Sequence, residues 1–202
     1  MKITDILEHP VVWQPFRKII DILFGIYRKR QAIIRQFGIT NQLSVVDVAC
    51  GTGQYSTITD FQYLGIDLSE KYIETAKKLY GKDNKTFLCA DANTSKISDG
   101  SYDVALLIDA THHLSDEENR ILIKTLNKIA SQFIVICDPV TQSKNNLIGR
   151  FLAYMDRGEY IRPTKVLSDL ISETLDIKKI VLLKMMGTES VCILAKPRDK
   201  TR

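Results

Sequence analysis

The sequence predicts an α/β protein with a doubly wound sheet of about seven strands. Short β-rich segments alternate with segments of helical periodicity along most of the chain. The segments 104–108 and 133–137 are continuous apolar runs, which is typical of parallel strands covered by helices on both faces. Only residues 185–189 separate the last two strands. Because that is too short for a helical crossover, these two strands should form an antiparallel hairpin at the C-terminus.

Periodicity and turn residues predict the individual elements in order. The strands are expected at residues 44–49, 62–67, 86–90, 102–108, 133–138, 177–184 and 190–196. Helices are expected at residues 13–27, 31–37, 70–80 and 116–130. The connection 139–164 is longer than an ordinary loop, so we expect a further helix at 146–155. Residues 1–43 are interpreted as an N-terminal helical lid and residues 44–202 as the main part of a single domain.

Composition excludes several classes of protein. A hydrophobic fraction of 45% with 26% charged residues is ordinary for a globular domain and excludes a disordered or collagen-like chain. The four cysteines show no CxxC spacing, so neither a zinc site nor a disulfide framework is expected. No signal peptide and no run of about 18 apolar residues is found, so we expect a reduced, cytoplasmic protein without membrane spans.

The net charge of +4 is distributed unevenly. Residues 1–44 carry seven basic and three acidic side chains, whereas residues 45–196 carry 18 basic and 20 acidic ones. A nucleic-acid groove needs basic residues along a whole face, so no nucleic-acid partner is expected.

The loops after the first three predicted strands carry a pattern of glycine and acidic residues. The first strand runs into the segment DVACGTG at residues 47–53, a glycine turn that lets a ligand approach the backbone before a following helix. Asp67 ends the second strand, 20 positions after Asp47, the spacing at which an acidic side chain reaches a ribose diol. Asp91 ends the third strand. These acids favour a ligand with hydroxyl and amino donors over a dinucleotide with its pyrophosphate.

Taken together, these segments and the segment DATHHL at residues 109–114 resemble a class I S-adenosylmethionine-dependent methyltransferase with a Rossmann-like fold. The resemblance implies that Gly51 and Gly53 border the methionine part of S-adenosylmethionine and that Asp47 helps to fix the loop. It also implies that Asp67 accepts from both ribose hydroxyls. The full cofactor-binding set that it implies is Asp47, Ala49, Gly51, Gly53, Asp67, Leu68, Asp91, Ala92 and Asp109. In this set Asp91 and Ala92 address the adenine, and Asp109 lies near the methionine amino group and the sulfonium. Ala49 departs from the family, which usually has glycine there.

Methyl transfer is an in-line displacement with a neutral leaving group, so the protein must chiefly align the reactants and exclude water. A base is useful if the acceptor is a hydroxyl, and His112 and His113 are the candidates. The alternative is that they pack locally at the start of the helix that Ser115 caps. Arg157, Tyr160 and Arg162 are predicted to bind the acceptor. Alternatively, the two arginines pair with Asp156 and Glu159 and hold their loop together.

Two readings of the N-terminal helix stay open. It either lies over the cofactor and acceptor as a lid, where Tyr27 and Arg28 or Arg30 reach the cofactor carboxylate, or it contacts a membrane surface. The function expected is methyl transfer to an oxygen or nitrogen of a small-molecule or lipid-linked acceptor. The alternative is a non-catalytic module that binds the same cofactor. A nicotinamide-dependent oxidoreductase is disfavoured because Gln54, Tyr55 and Ser56 follow the turn in place of the rest of a GxGxxG motif.

Overall fold

The computed structural model of the chain describes residues 21, 25–147, 149, 158–185 and 188–198. Seven strands form one sheet: β1 (Val45–Val48), β2 (Tyr63–Asp67), β3 (Lys85–Cys89), β4 (Tyr102–Ile108), β5 (Ala130–Pro139), β6 (Asp176–Met185) and β7 (Thr188–Lys196). Their order across the sheet is β3-β2-β1-β4-β5-β7-β6. The predicted fold class is confirmed.

Strands β1 to β5 are parallel, and β7 is antiparallel to both β5 and β6. From β1 the chain adds β2 and β3 on one side of the sheet and then continues with β4 on the other side, so the strand order reverses at β1. Asp47 is in register with Gly65 of β2 and Leu106 of β4. In such sheets, ligands bind beyond the carboxyl ends of the strands at the point where the order reverses. The fold therefore directs attention to the loops that follow β1, β2 and β4.

Within the described residues, four α-helices pack on the sheet: α1 (Ile26–Gln36), α2 (Glu70–Tyr80), α3 (Asp116–Ile129) and α4 (Thr164–Ser172). Helix α2 begins after Ser69, whose hydroxyl accepts from the Tyr72 amide. Helix α3 begins with a capping box, in which the Ser115 hydroxyl accepts from the Glu118 amide and the Glu118 carboxylate accepts from the Ser115 amide. Both the Ser69 cap and the capping box satisfy backbone donors that a helix start leaves unpaired.

The structure differs from the predicted elements at three places. Residues 28–30, predicted to separate two helices, are helical, because Gly25 takes a left-handed conformation and one helix runs from Ile26 to Gln36. The glycine turn leads into a short 3-10 helix, Gln54–Ile58, instead of an α-helix. Helix α4 was not predicted. Residues 13–20, 22–24 and 150–157, which include the greater part of two predicted helices, lie outside the described residues.

The core forms two layers, one on each face of the sheet. Side chains of α1, α2 and the 3-10 helix pack on one face, with Ile34, Ile58 and Ile73 fully buried. Side chains of α3 and α4 pack on the other face, with Ile123 and Ile171 fully buried. Strand β4 alternates between the layers, as its apolar sequence predicts. Among the residues that the structure describes, no helix has both the length and the apolar character needed to cross a bilayer.

Candidate active site

A cavity of about 720 Å³ opens beyond the carboxyl ends of β1, β2 and β4. Eight of the nine residues predicted to bind cofactor line it: Asp47, Ala49, Gly51, Asp67, Leu68, Asp91, Ala92 and Asp109. His113 also lines the cavity. Sequence reasoning did not single out the apolar part of the wall, which includes Tyr72, Leu114, Ile121 and Leu122. The volume and the mixed lining are those of a small-molecule site.

The turn after β1 places three consecutive odd-numbered residues in the left-handed region: Ala49 at φ 58°, Gly51 at φ 54° and Gly53 at φ 77°. A Cβ on Gly51 would have no neighbour within 4 Å, so its backbone borders open space. A Cβ on Gly53 would lie 2.5 Å from Cε1 of Phe87. Gly53 is thus required by packing behind the turn, and it is absent from the cavity lining.

Asp67 connects the loop after β2 to this turn. Its Oδ2 accepts from the Gly51 amide at 2.8 Å, and its Oδ1 accepts from the Ser69 amide at 2.8 Å. Two backbone donors therefore fix the carboxylate at the cavity wall. Each carboxylate oxygen has capacity for a further hydrogen bond, so the group can still accept from a ligand hydroxyl.

Asp47 lies deeper in the cavity wall and is almost fully buried. Its Oδ2 accepts from the Tyr63 hydroxyl at 2.6 Å, and the bond that fixes the Gly51 amide goes to Asp67 instead. Burial raises the pKa of the Asp47 carboxyl to about 7, and the nearby charge of Asp67 adds to the rise, while the hydrogen bond from Tyr63 opposes it. The protonation of Asp47 therefore changes near neutral pH.

The two histidines after β4 have different surroundings. His113 is exposed and lines the cavity, whereas His112 is 2% exposed. Nδ1 of His112 lies 3.0 Å from Oδ1 of Asp138, whose Oδ2 accepts from the Thr111 hydroxyl at 2.5 Å. The two imidazole rings lie 4.1 Å apart. Asp138 was missed in the sequence, although it follows the rule that identified Asp67 and Asp91, since it lies near the carboxyl end of β5.

Arg162 is buried and its donors are occupied by the protein. Nε donates to Oδ1 of Asp116 at 2.8 Å, and Nη2 lies 2.7 Å from the same oxygen. Nη1 donates to the carbonyls of Thr111 and Tyr160, and Nη2 donates to the carbonyl of Leu114. These contacts fasten the segment after β5 to the segment after β4. They leave no N–H of the guanidinium for the predicted acceptor contact. Among the described residues its carboxylate partner is Asp116, and Asp156 lies outside them.

Of the other two residues predicted to bind an acceptor, the structure describes only Tyr160. Tyr160 is 42% exposed, does not line the cavity, and has the Arg162 guanidinium carbon 5.6 Å from its ring centre. Arg157 lies outside the described residues.

Helix α1 reaches the cavity wall from the first layer of the core. The Tyr27 hydroxyl donates to the Gln54 carbonyl at 2.5 Å and lies 2.6 Å from Oγ1 of Thr57. Arg30 forms an ion pair with Asp109. These contacts hold Tyr27 and Arg30 to the protein itself.

Comparison with known proteins agrees with this geometry. Residues 46–130 match the family model described as a methyltransferase domain. The O-methyltransferase cnsE of Penicillium expansum is 35% identical over 81 residues, which cover 36% of this chain and 29% of that protein. The chain thus matches less than a third of the length of this curated relative.

Two solved structures are similar in fold. A chain of the complex between the Haloferax volcanii Trm112 methyltransferase activator and a methyltransferase has a TM-score of 0.75 and 12% identity, covering 96% of this chain and 98% of that one. A SAM-dependent methyltransferase from Aquifex aeolicus has a TM-score of 0.66 and 18% identity, covering 82% and 87%. The chain is therefore similar in sequence to a methyltransferase domain over residues 46–130, and its fold is similar to that of a SAM-dependent methyltransferase.

Proposed function

We propose that the chain binds S-adenosylmethionine in this cavity and transfers its methyl group to an oxygen or nitrogen of a small-molecule or lipid-linked acceptor. The observation that carries the proposal is the Asp67 carboxylate, held at the cavity wall by the Gly51 and Ser69 amides. It presents acceptors for a ribose diol next to a turn whose Gly51 backbone borders open space.

The charge of the cavity suits a cationic ligand. Five acidic residues line it, Asp47, Asp67, Asp91, Asp109 and Glu118, and among the described lining residues none is lysine or arginine. Bound S-adenosylmethionine supplies a methyl group activated by a positively charged sulfonium. Opposite charge in a partly enclosed cavity favours that ligand over an anionic one.

The same charge disfavours the nicotinamide-dependent alternative. A dinucleotide places its pyrophosphate at the N-terminus of an α-helix after the glycine turn. Here the turn is followed by the five-residue 3-10 helix Gln54–Ile58, and the wall around it is acidic.

We further propose that a histidine of the chain removes the proton from an acceptor hydroxyl. His113 lines the cavity, so it is the better placed of the two predicted bases. His112 is buried with Nδ1 facing Asp138, and its ring packs 4.1 Å from that of His113. In this proposal His113 accepts the proton, while the bonds of Asp138 to His112 and Thr111 fix the segment that carries it.

Of the two proposed acceptor atoms, oxygen is supported by the name of the O-methyltransferase relative. We propose a cytoplasmic location because the spacing of the four cysteines in the sequence is not that of a disulfide framework. We propose that residues of the connection between β5 and α4 form part of the acceptor-binding pocket.

The test is an incubation of the whole chain with S-adenosylmethionine carrying a labelled methyl group and a panel of hydroxylated, amino and lipid-linked acceptors. We expect S-adenosylhomocysteine and a labelled product, and loss of both in Asp67→Ala. If His113→Ala retains turnover of a hydroxyl acceptor near the wild-type level across pH 6–9, the base role is wrong. Binding of the cofactor with no turnover on any acceptor would favour the non-catalytic alternative.

A further inference from the structure

Arg30 lies on the buried face of helix α1, outside the segment that matches the family model. Its side chain is 7% exposed and its Nη1 pairs with Oδ2 of Asp109. Asp109 follows β4 directly, at φ 54°, and lines the cavity. A residue of the N-terminal segment thus contacts the cavity wall from behind.

Arg30 is buried next to both Asp109 and Tyr55, and these two neighbours do not satisfy all of its donors. Nε has no partner in the described structure, although it is buried. A buried charge with an unsatisfied donor destabilises a fold relative to a well-packed apolar side chain of similar size. The arginine is therefore better explained by its effect on Asp109 than by a contribution to stability.

A second group of contacts fixes the same helix to the same wall. Tyr27 reaches Gln54 and Thr57, and Gln31 donates to the Tyr27 hydroxyl at 2.5 Å. Gln54 lines the cavity. Helix α1 therefore contacts the loop after β1 through Tyr27 and the loop after β4 through Arg30. Because the first contact fixes the backbone of the helix, the position of the Arg30 side chain beside Asp109 is fixed as well.

The ion pair leaves one oxygen of Asp109 available. Arg30 occupies Oδ2, and no described residue donates to Oδ1. The Asp109 side chain is 48% exposed, which lets this carboxylate meet a ligand. A carboxylate oxygen of fixed direction forms a stronger charge-assisted hydrogen bond to an ammonium group than a freely rotating one.

We propose that Arg30 is a positioning residue for the amino group of the cofactor's amino-acid part and acts through Asp109. This inference rests on the proposed function. It differs from a direct contact between Arg30 and the cofactor carboxylate, because the arginine is placed behind Asp109 and is not among the lining residues.

Three nucleosides separate these roles when each is titrated calorimetrically into the full chain. S-adenosylhomocysteine has the complete amino-acid part, its decarboxylated form keeps the amine but lacks the carboxylate, and 5′-methylthioadenosine lacks both. Arg30→Met is compared with the wild type, with Arg30→Lys and with Lys29→Met, a control at an exposed position of the same helix.

We expect Arg30→Met to weaken binding of S-adenosylhomocysteine and of its decarboxylated form by about tenfold, and binding of 5′-methylthioadenosine by less than about twofold. Arg30→Lys should recover part of the loss, and Lys29→Met should change none of the three affinities. Asp109→Asn should show the same ligand selectivity, and Arg30→Met should add little to it in the double variant. Asp109→Asn also serves if Arg30→Met fails to fold.

Equal weakening of all three ligands would overturn the inference, because a merely structural arginine does not discriminate between them. A loss that vanishes for the decarboxylated ligand would also overturn it, in favour of a direct carboxylate contact. Unchanged affinities in both Arg30→Met and Asp109→Asn would refute the inference but leave the proposed function standing. A wild-type chain that binds none of the three nucleosides would instead overturn the proposed function, and the inference with it.

Discussion

The Asp67 carboxylate accepts a hydrogen bond of 2.8 Å from the backbone amide of Gly51, a residue 16 positions earlier in the sequence. The bond joins the loop after β2 to the turn after β1, and these adjacent parallel strands end side by side. It fixes the direction of the carboxylate and the shape of the turn at once. A change at either residue should therefore alter both the ligand site and its support.

We expect Asp67→Asn to weaken binding of S-adenosylhomocysteine by about tenfold or more, since the side chain loses an anionic acceptor for the diol. In addition, the asparagine side chain has only one oxygen, so its NH2 group must face the backbone N–H of either Gly51 or Ser69, and one of these two hydrogen bonds is lost. Calorimetric titration measures the effect, with Glu70→Gln as an exposed control nearby. An affinity equal to that of the wild type would show that Asp67 does not hold the ribose.

The pKa of Asp47 predicts a pH dependence of stability. Its pKa rises from the ordinary 3.8 to about 7 on folding, because burial disfavours the charged form. Below the unfolded pKa of 3.8, both the folded and the unfolded state hold the Asp47 proton, and the protein keeps its full stability. As pH rises from there towards 7, the unfolded state loses the proton first, so the free energy of unfolding falls. Asp47→Asn removes this loss, so its free energy of unfolding relative to the wild type should rise by about 3 kcal/mol from pH 5 to pH 8.

Urea unfolding across this pH range measures the Asp47 effect, with the exposed Asp83→Asn as control. A constant difference between Asp47→Asn and the wild type at all pH values would contradict a raised pKa.

Ala49 adopts φ 58°, a conformation that costs an alanine about 1 kcal/mol. Ala49→Gly relieves this strain but gains freedom in the unfolded chain, so we expect a net stabilisation of about 0.5 kcal/mol. Ala49→Val should destabilise by about 2 kcal/mol, because a branched side chain fits this region poorly. The order of the three unfolding midpoints in urea checks the prediction, and a valine variant as stable as the wild type would refute it.

The contacts of Arg162 predict a structural role. Arg162→Met leaves Asp116 and three carbonyls without their donor, so we expect the free energy of unfolding to fall by about 3 kcal/mol. Arg120→Met, which removes an exposed pair with Glu173, should lower the free energy of unfolding far less than Arg162→Met does. Unchanged stability of Arg162→Met combined with weaker acceptor binding would favour the acceptor contact that the sequence first suggested.

The regular part of the fold could be predicted because its signals are local. Strand β4 and helix α2 have the predicted bounds, since continuous apolar runs and 3.6-residue periodicity are contained within each segment. Helix α4 is not predicted, because the sequence analysis ends the long connection 139–164 without assigning a helix after it. Pro163 at its N-cap is the local signal for the start of this helix.

The parts of the site that escaped prediction depend on contacts between distant residues. No local pattern shows that Phe87 lies against Gly53, that Asp67 fixes Gly51, or that Arg30 pairs with Asp109 across 79 positions. Residue type and spacing identified the carboxylates at the strand ends. Only the folded arrangement distinguishes those that face the ligand from those that support the turn.

The central claim is tested most directly by calorimetric titration of the full chain with S-adenosylmethionine, S-adenosylhomocysteine and NAD. We predict that both adenosine thioethers bind with one site per chain and that NAD does not bind. Binding of NAD without binding of either thioether would contradict the claim.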